Sequence, residues 1–259
     1  ACCGLKVAAK AQDWEALVPD DTPNVEYVRQ ELRHLHASFT QAPLLGSLLD
    51  LSHSLKNDLA TSSYEGLMAL LRKALATEGP PSPLSEAGYR WELSLSAQGM
   101  LSAAHLLGEK YNLVITNVPY LTRGKQSDAL KLHCEIHYPK AKNELANVFL
   151  ERCIEISALG GQVQLVMPEN WLFLVSFKGQ REQLLEQVRW DLLARLGSGA
   201  FETITGEVVK VILLSLTKQE PSKTSSFRGI DLSTAASVRE KASGLRDGAL
   251  EELSQSSQL

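Results

Sequence analysis

The stretch that decides the fold is Leu113-Val114-Ile115-Thr116, followed by Asn117-Val118-Pro119-Tyr120. The first half is a short apolar run of the kind that forms a buried strand. The second half places an amide, a rigid turn and an aromatic ring where that strand ends. Ligands of open α/β sheets bind outside the carboxyl ends of the strands. The stretch therefore predicts a strand over residues 112–117 with a binding site at its C-terminal end.

The second half of this stretch has the groups needed to hold an exocyclic amine. Such a nitrogen is a poor nucleophile because its lone pair is delocalised into the ring. The side-chain oxygen of Asn117 and the carbonyl of Val118 can each accept one N–H bond, which favours tetrahedral geometry and frees the lone pair. Pro119 fixes its own φ and biases Val118 towards an extended conformation. Tyr120 offers a face on which an extruded base can stack, although four such residues alone are also typical of an ordinary turn.

Three further blocks follow this one and make the pattern specific. The four blocks, in chain order, are Asn117-Val-Pro-Tyr-Leu-Thr-Arg-Gly-Lys-Gln126, Lys142-Asn-Glu-Leu-Ala-Asn-Val-Phe-Leu-Glu-Arg152, Met167-Pro-Glu-Asn-Trp-Leu-Phe173 and Gly199-Ala-Phe-Glu-Thr-Ile-Thr-Gly-Glu-Val-Val209. In order and spacing they resemble the amino-methyltransferases of DNA, whose signature is Asn, Asp or Ser, then Pro-Pro, then Tyr or Phe. The chain is most similar to the N6-adenine branch found in fused restriction–modification enzymes and phage-exclusion systems.

The resemblance implies S-adenosylmethionine-dependent methylation of the N6 amine of adenine in double-stranded DNA. It assigns the catalytic positions to Asn117, Val118, Pro119 and Tyr120. Val118 stands where the family usually has its first proline, which makes the turn less rigid but leaves the carbonyl acceptor in place. Tyr120 and Phe201 are expected to stack on the two faces of the flipped adenine, although Phe201 also fits an ordinary core aromatic residue.

The cofactor positions are less well matched. The run over 44–49 corresponds to a strand end in the family, so Gly46, Ser47 and Asn117 are candidate S-adenosylmethionine contacts, although an acidic residue often stands where Ser47 does. The family's glycine-rich turn between a first strand and helix has no counterpart in this sequence. We therefore expect an internal piece of a longer enzyme with an incomplete cofactor pocket. Such a piece is expected to be inactive alone and to bind the cofactor no tighter than roughly millimolar.

A locally basic segment follows the motif. Residues 121–142 contain five cations and two anions, Asp128 and Glu135, inside a chain of net charge −4. Of the cations, Arg123, Lys125 and Lys131 are candidate contacts to DNA phosphates. A solvated loop that happens to be positive is the alternative interpretation.

The composition also limits the class of protein to which the chain can belong. The 259 residues are 44% hydrophobic and 22% charged, as in ordinary globular chains. No apolar run approaches the ~20 residues that span a bilayer, so no membrane partner is expected, and the four cysteines fit a reducing cytoplasm. His133, Cys134 and His137 lack a fourth ligand in suitable spacing, so no metal is expected. The oligomeric state is not indicated by the sequence.

The order of elements predicts an α/β fold. It is a Rossmann-like methyltransferase sheet, of which the chain holds the catalytic half with a terminal antiparallel hairpin, plus an inserted helical region. Helices are predicted over 4–18, 24–36, 144–158 and 177–188, and strands over 112–117, 162–167, 191–196 and 207–217. Gly160-Gly161 is interpreted as a helix stop. The last 40 residues are predicted to be loop with one frayed helix.

Four regions follow from this pattern. Residues 1–50 are a truncated N-terminal part of the methyltransferase core, 51–110 a helical insertion interrupted at 78–83, 111–218 the catalytic half, and 219–259 a polar, partly disordered tail or the start of a next domain. Two alternatives in function remain. One is a non-catalytic nucleic-acid-binding module, and the other is a methyltransferase acting on RNA or on protein glutamine.

Overall fold

The computed structural model describes residues 10–49, 86–201 and 209–258. The chain divides into two compact units, Ala1–Glu109 and Lys110–Leu259. Each unit is described by itself. The four regions inferred from the sequence stay a prediction.

The described part of the first unit is helical. Its elements are α1 (Ala11–Glu15), α2 (Val25–Phe39), α3 (Ala42–Leu45), a 3₁₀ turn (Gly46–Leu48) and α4 (Glu86–Gly108). The helix predicted over 24–36 is confirmed as α2. Of the helix predicted over 4–18, α1 covers only Ala11–Glu15, and residues 16–18 form a turn. Residues 4–9 lie outside the described residues, as do 50–85 of the predicted insertion.

The strand end expected over 44–49 is wrong. Pro43 occupies the first turn of α3, where its missing N–H costs nothing. Gly46 then adopts φ 53° and opens the 3₁₀ turn. The apolar side chains of Leu45 and Leu48 are buried by helical spacing and not by the alternation of a strand.

The second unit is built on one six-stranded sheet. Its strands are β1 (Tyr111–Asn117), β2 (Ser157–Pro168), β3 (Arg189–Gly197), β4 (Val211–Thr217), β5 (Ser226–Asp231) and β6 (Glu251–Ser254). The spatial order is β1-β2-β4-β3-β5-β6. The pairs β1/β2 and β3/β5 are parallel, and the pairs β2/β4, β3/β4 and β5/β6 are antiparallel.

This sheet confirms the predicted α/β class. The strands predicted over 112–117, 162–167 and 191–196 share one sheet, and the predicted antiparallel pairing of the last two core strands is the β3/β4 pair. The helices of the unit are α5 (Asp128–His137), α6 (Leu145–Ile156), α7 (Lys178–Gln187) and α8 (Val238–Asp247). A core of aromatic and aliphatic side chains, with Trp171, Met167 and Ile212 fully buried, packs against the sheet.

Two local predictions are wrong. Gly160-Gly161 does not stop a helix, because α6 already ends at Ile156 and the pair lies inside β2. A Cβ on Gly161 would stand 2.8 Å from the Tyr111 carbonyl oxygen, so glycine permits the close approach of β1 there. The last 40 residues do contain an α-helix at Val238–Asp247, as predicted, but the rest is not plain loop, because β5 and β6 extend the sheet.

Gln255 holds this C-terminal segment to the rest of the unit. Its side chain is 1% exposed. Its Nε2 donates to the carbonyls of Leu185 and Val188 at 2.8 Å each, and its Oε1 accepts the Trp190 N–H at 3.0 Å. One side-chain amide therefore provides hydrogen-bond partners for three main-chain groups at the junction between α7 and β3.

A second buried polar network joins α6 to α7. Gln180 accepts from the Asn147 amide at 2.7 Å and donates to the Glu151 carboxylate at 2.8 Å. Burial raises the pKa of Glu151 to about 7, and the neighbouring Glu155 carboxylate acts in the same direction, against the hydrogen bond from Gln180. The folded chain therefore keeps a proton on Glu151 at pH values where the unfolded chain has lost it.

This difference predicts a pH-dependent stability. Between the ordinary value of 4.5 and about 7 the folded state binds more protons, so stability falls as pH rises through that window and levels off above it. Glu151→Gln is expected to raise the Tm at pH 8 and to change it little at pH 4. Thermal unfolding at both pH values checks this, with the exposed Glu186→Gln as control. An equal effect of Glu151→Gln at the two pH values would contradict the assignment.

Candidate active site

The predicted motif lies at the carboxyl ends of two adjacent parallel strands. Asn117 is paired in register with Val166 of β2. The Val118 amide donates to the Val166 carbonyl at 3.3 Å, which fixes the peptide that follows β1. Val118 is 3% exposed, whereas the side chains of Asn117 and Pro119 are exposed. The buried valine anchors the turn, and the amide of Asn117 remains accessible to a ligand.

A cavity of about 580 Å³ opens beside this turn. Its walls come from the residues after β1, the residues after β2 and the residues before β4. They include Tyr120, Lys125, Glu144, Glu169, Phe173 and Lys210. We call it the Tyr120 cavity, because Tyr120 is the motif residue that lines it. The other three motif residues immediately precede Tyr120 in the chain. A cavity of this size is typical of small-ligand sites.

Tyr120 is half-buried, and its hydroxyl oxygen has no hydrogen-bond partner among the described residues. Burial raises the pKa of the phenol to about 12, so it stays neutral in any ordinary buffer. The ring packs against the core. The hydroxyl thus adds a desolvation cost with no compensating bond among the described residues. We therefore expect the predicted stacking contact to depend on the ring and not on the hydroxyl.

In the full-length protein, we expect Tyr120→Phe to keep methyl-transfer activity and to raise the Tm slightly, because an unsatisfied buried hydroxyl costs about 1–3 kcal/mol. Tyr120→Ala should slow transfer about tenfold or more, since stacking is worth ~1–3 kcal/mol per base. Steady-state kinetics and thermal unfolding of both variants measure these effects. If Phe is as damaging as Ala, the hydroxyl has a role that stacking does not explain.

Glu144 holds the chain that leaves the motif. This carboxylate is 6% exposed, and its Oε1 accepts the Leu121 N–H at 2.7 Å. Gln126 donates to the Leu121 carbonyl at 3.2 Å, and the Leu145 N–H donates to the same carbonyl at 3.0 Å. Glu144 was not singled out from the sequence, although it stands in the second block, because its role depends on a contact between residues 23 apart.

Glu169 lies on the other wall of the Tyr120 cavity. Its side chain is 6% exposed, and its carboxylate oxygens lie 3.4 Å from Arg195 Nε and 3.9 Å from Lys210 Nζ. Its main-chain N–H donates to the Lys210 carbonyl at 2.9 Å. This residue was not singled out from the sequence either, because Arg195 of β3, the cation nearest to its carboxylate, is remote in the chain.

The basic segment after the motif has more secondary structure than expected, and several of its cations are already paired with carboxylates. It contains a 3₁₀ turn (Arg123–Lys125) and the helix α5, so the prediction of a plain loop is wrong. Arg123 and Lys142 pair with Glu135 at 3.1 and 2.8 Å, and Lys131 pairs with Asp128 at 3.2 Å. Lys125 lines the Tyr120 cavity. The phosphate contacts of Arg123, Lys125 and Lys131 stay a prediction.

The His133 and His137 rings lie 4.6 Å apart on α5, and Cys134 is fully buried. Burial lowers the pKa of His133, and the neighbouring His137 acts in the same direction. In the three described ranges no group of side chains is suited to hold a metal ion. Across those ranges, too, no helix is long and apolar enough to cross a bilayer.

Four candidate residues remain: Phe201, Gly46, Ser47 and Asn117. Phe201 is 37% exposed and follows Gly199, whose φ is 67°. Within the described ranges it is not part of the lining, and residues 202–208 lie outside the described residues. Gly46 and Ser47 lie in the 3₁₀ turn of the first unit. The stacking role of Phe201 and the cofactor roles of Gly46, Ser47 and Asn117 therefore stay predictions.

An α/β sheet with Asn-x-Pro-Tyr at a strand end beside a cavity is the arrangement expected of an amino-methyltransferase. Residues 84–201 match the family model of the Eco57I restriction-modification methylase. The predicted resemblance to adenine-specific DNA methyltransferases is confirmed by this match and by the named relatives.

Two curated relatives carry this similarity. The chain is 31% identical over 137 residues to the adenine-specific methyltransferase PglX of Lacticaseibacillus casei (strain Zhang), which covers 52% of this chain and 11% of the relative. It is 28% identical over 190 residues to the adenine-specific methyltransferase BrxX of Escherichia coli O9:H4 (strain HS), covering 73% and 14%. The chain thus spans little more than a tenth of the length of these relatives.

A similar solved structure is that of a nuclease-deletion mutant of the type ISP restriction-modification enzyme LlaGI in complex with a DNA substrate mimic. The match has a TM-score of 0.47 at 13% identity. It covers 71% of this chain and 17% of that one.

Proposed function

We propose that this chain contributes the catalytic turn of an S-adenosylmethionine-dependent enzyme that methylates the N6 amine of adenine in DNA, within a restriction–modification or phage-defence system. The observation that carries the proposal is the position of Asn117-Val118-Pro119-Tyr120 at the end of β1, in register with β2 and beside the Tyr120 cavity. The names of the curated relatives support it, since both are adenine-specific methyltransferases.

In this proposal the chain acts by orienting the acceptor amine. The exposed Asn117 side chain accepts one N–H bond and the Val118 carbonyl accepts the other, so the lone pair of the nitrogen points away from the ring plane. The hydrogen bond from the Val118 N–H to the Val166 carbonyl fixes the peptide before Val118, and Pro119 restricts the conformation of Val118 itself, so that the Val118 carbonyl is oriented before the substrate arrives. Acceptors fixed in advance contribute to rate because they need no reorganisation during the reaction. Tyr120 stacks the base and keeps it in the cavity.

The described residues do not fit a complete cofactor site. Ahead of β1 they contain helices and a 3₁₀ turn, and within these ranges no strand leads through a glycine-rich turn into a helix. Such a turn with the following helix N-terminus is what usually receives a cofactor's polar end in this type of fold. We therefore assign the chain's described residues to the amine and its base, and S-adenosylmethionine remains a proposal from the family resemblance.

The test uses the full-length protein that carries these residues. It is incubated with tritiated S-adenosylmethionine and DNA from a strain that lacks methylated adenine, and the nucleosides are analysed by mass spectrometry. We expect N6-methyladenine in the DNA and no label in parallel incubations with total RNA or cell protein. Label in RNA or protein would favour the alternative acceptors, and no label in any acceptor would favour a non-catalytic nucleic-acid-binding module.

A further inference from the structure

Phe173 has an unusual combination of a fixed main chain and an exposed aromatic ring. Its side chain is 62% exposed, although it follows the fully buried Trp171. Arg181 Nη1 donates to the carbonyls of Trp171 and Leu174 at 2.6 and 2.7 Å. One guanidinium therefore anchors the main chain on both sides of Phe173. The ring is presented to the surroundings by a segment that cannot easily move.

The orientation of this ring is also fixed. The guanidinium carbon of Arg195 lies over it, 5.3 Å from the ring centroid. Arg195 is itself paired with Asp231 of β5 at 2.6 Å and with Glu169 at 3.4 Å. One face of Phe173 is thus covered by a cation that two carboxylates hold, although the residue as a whole is 62% exposed.

Phe173 also borders the Tyr120 cavity. It lines both this cavity and a second one of about 370 Å³, whereas Arg195 lines the second. Among the described residues, Tyr120 and Phe173 are the aromatic side chains that line the Tyr120 cavity. A planar base that enters it meets an aromatic residue on each of two walls.

We propose that Phe173 is a base-stacking residue of the site, contacting the extruded adenine from the wall formed after β2, and that it contributes more to this contact than Phe201 does. The inference rests on the proposed function, because it names a second contact in the same site. Aromatic rings bind bases through their π faces without regard to hydrogen bonding. A cation on the far face of the ring, as here, keeps the ring from turning when the base arrives.

The test compares three variants of the full-length protein in the tritium transfer assay: Phe173→Leu, Phe173→Trp and, as a comparison at the other candidate stacking residue, Phe201→Leu. Phe173→Leu should lower kcat/KM by about tenfold or more. Phe173→Trp should retain most of kcat/KM, and Phe201→Leu should lower it less than about threefold, a weaker loss than that of one stacked base. Thermal unfolding midpoints of the three variants show whether the fold is kept.

Each outcome decides the proposal. A graded order at position 173, with Trp and Phe well above Leu, supports stacking, because a residue needed only for packing would be disturbed by the larger Trp as well. The proposal is overturned if Phe173→Leu behaves as wild type, if Phe173→Trp is as damaging as Phe173→Leu, or if Phe201→Leu causes the larger loss. If the wild-type protein transfers no methyl group, the proposed function itself fails, which is distinct from failure at position 173 in an active enzyme.

Discussion

Asn117→Ala in the full-length protein is expected to reduce methyl transfer by about 10²–10³-fold, the usual effect of removing one preorganised polar group from an active site. The loss should fall on kcat, because the amide acts on the nitrogen lone pair as the new bond forms and contributes little to holding the base. Asn117 is exposed at the end of β1, so the folded state should be unaffected. Single-turnover kinetics with labelled cofactor and thermal unfolding measure the two quantities.

Two controls sharpen this prediction. Asn112→Ala removes an exposed amide from the opposite end of the same strand and should leave transfer unchanged. Asn117→Asp keeps an acceptor oxygen at the site and should lose less activity than Asn117→Ala. Should Asn117→Ala retain activity within about threefold of wild type, the amide is not the acceptor on which the mechanism depends.

Gln255→Leu is expected to destabilise the chain by about 4 kcal/mol, because three buried main-chain groups each lose a partner at roughly 1–3 kcal/mol. Those groups are the carbonyls of Leu185 and Val188 and the N–H of Trp190. A loss of this size is a large fraction of the stability of a typical domain. Urea unfolding followed by tryptophan fluorescence reports it, since Trp190 lies at the affected junction.

The matched control is Gln187→Leu, the same chemical change at an exposed position at the end of α7. It should stay within about 0.5 kcal/mol of wild type, as surface substitutions usually do. Equal effects of the two substitutions would mean that Gln255 is not the tie between the C-terminal segment and the sheet.

The elements with a continuous apolar run were predictable from the sequence. β1, β2, β3 and β4 each carry such a run, and turn residues or helices bound it. β5 and β6 were missed because they carry few apolar residues. In β5 the buried residues are Phe227 and Gly229, and the four residues of β6 bury none. Strands of this kind are stabilised by the neighbour to which they pair, and a linear pattern does not show the neighbour.

The residues of the candidate site also fall into two groups, those that the sequence predicts and those that it does not. Asn117 and Tyr120 are recognisable because their chemistry is local to one turn. Glu144, Glu169 and Phe173 are not, because each gains its place in the cavity from a partner far along the chain: Leu121 for Glu144, Arg195 for the other two. The basic segment shows the converse error, since counting charges could not reveal that Glu135 pairs with both Arg123 and Lys142.

The strand that carries the motif stands at one margin of the six described strands. Leu113 and Ile115 on it are 51% and 67% exposed. Among the described residues no strand pairs with the outer side of this strand, and an unpaired strand edge with apolar side chains can pair with another copy of the chain. Natural sheets protect such edges with lysine. We therefore expect Ile115→Lys to reduce aggregation in concentrated solutions while leaving the sequence Asn117-Val118-Pro119-Tyr120 unchanged.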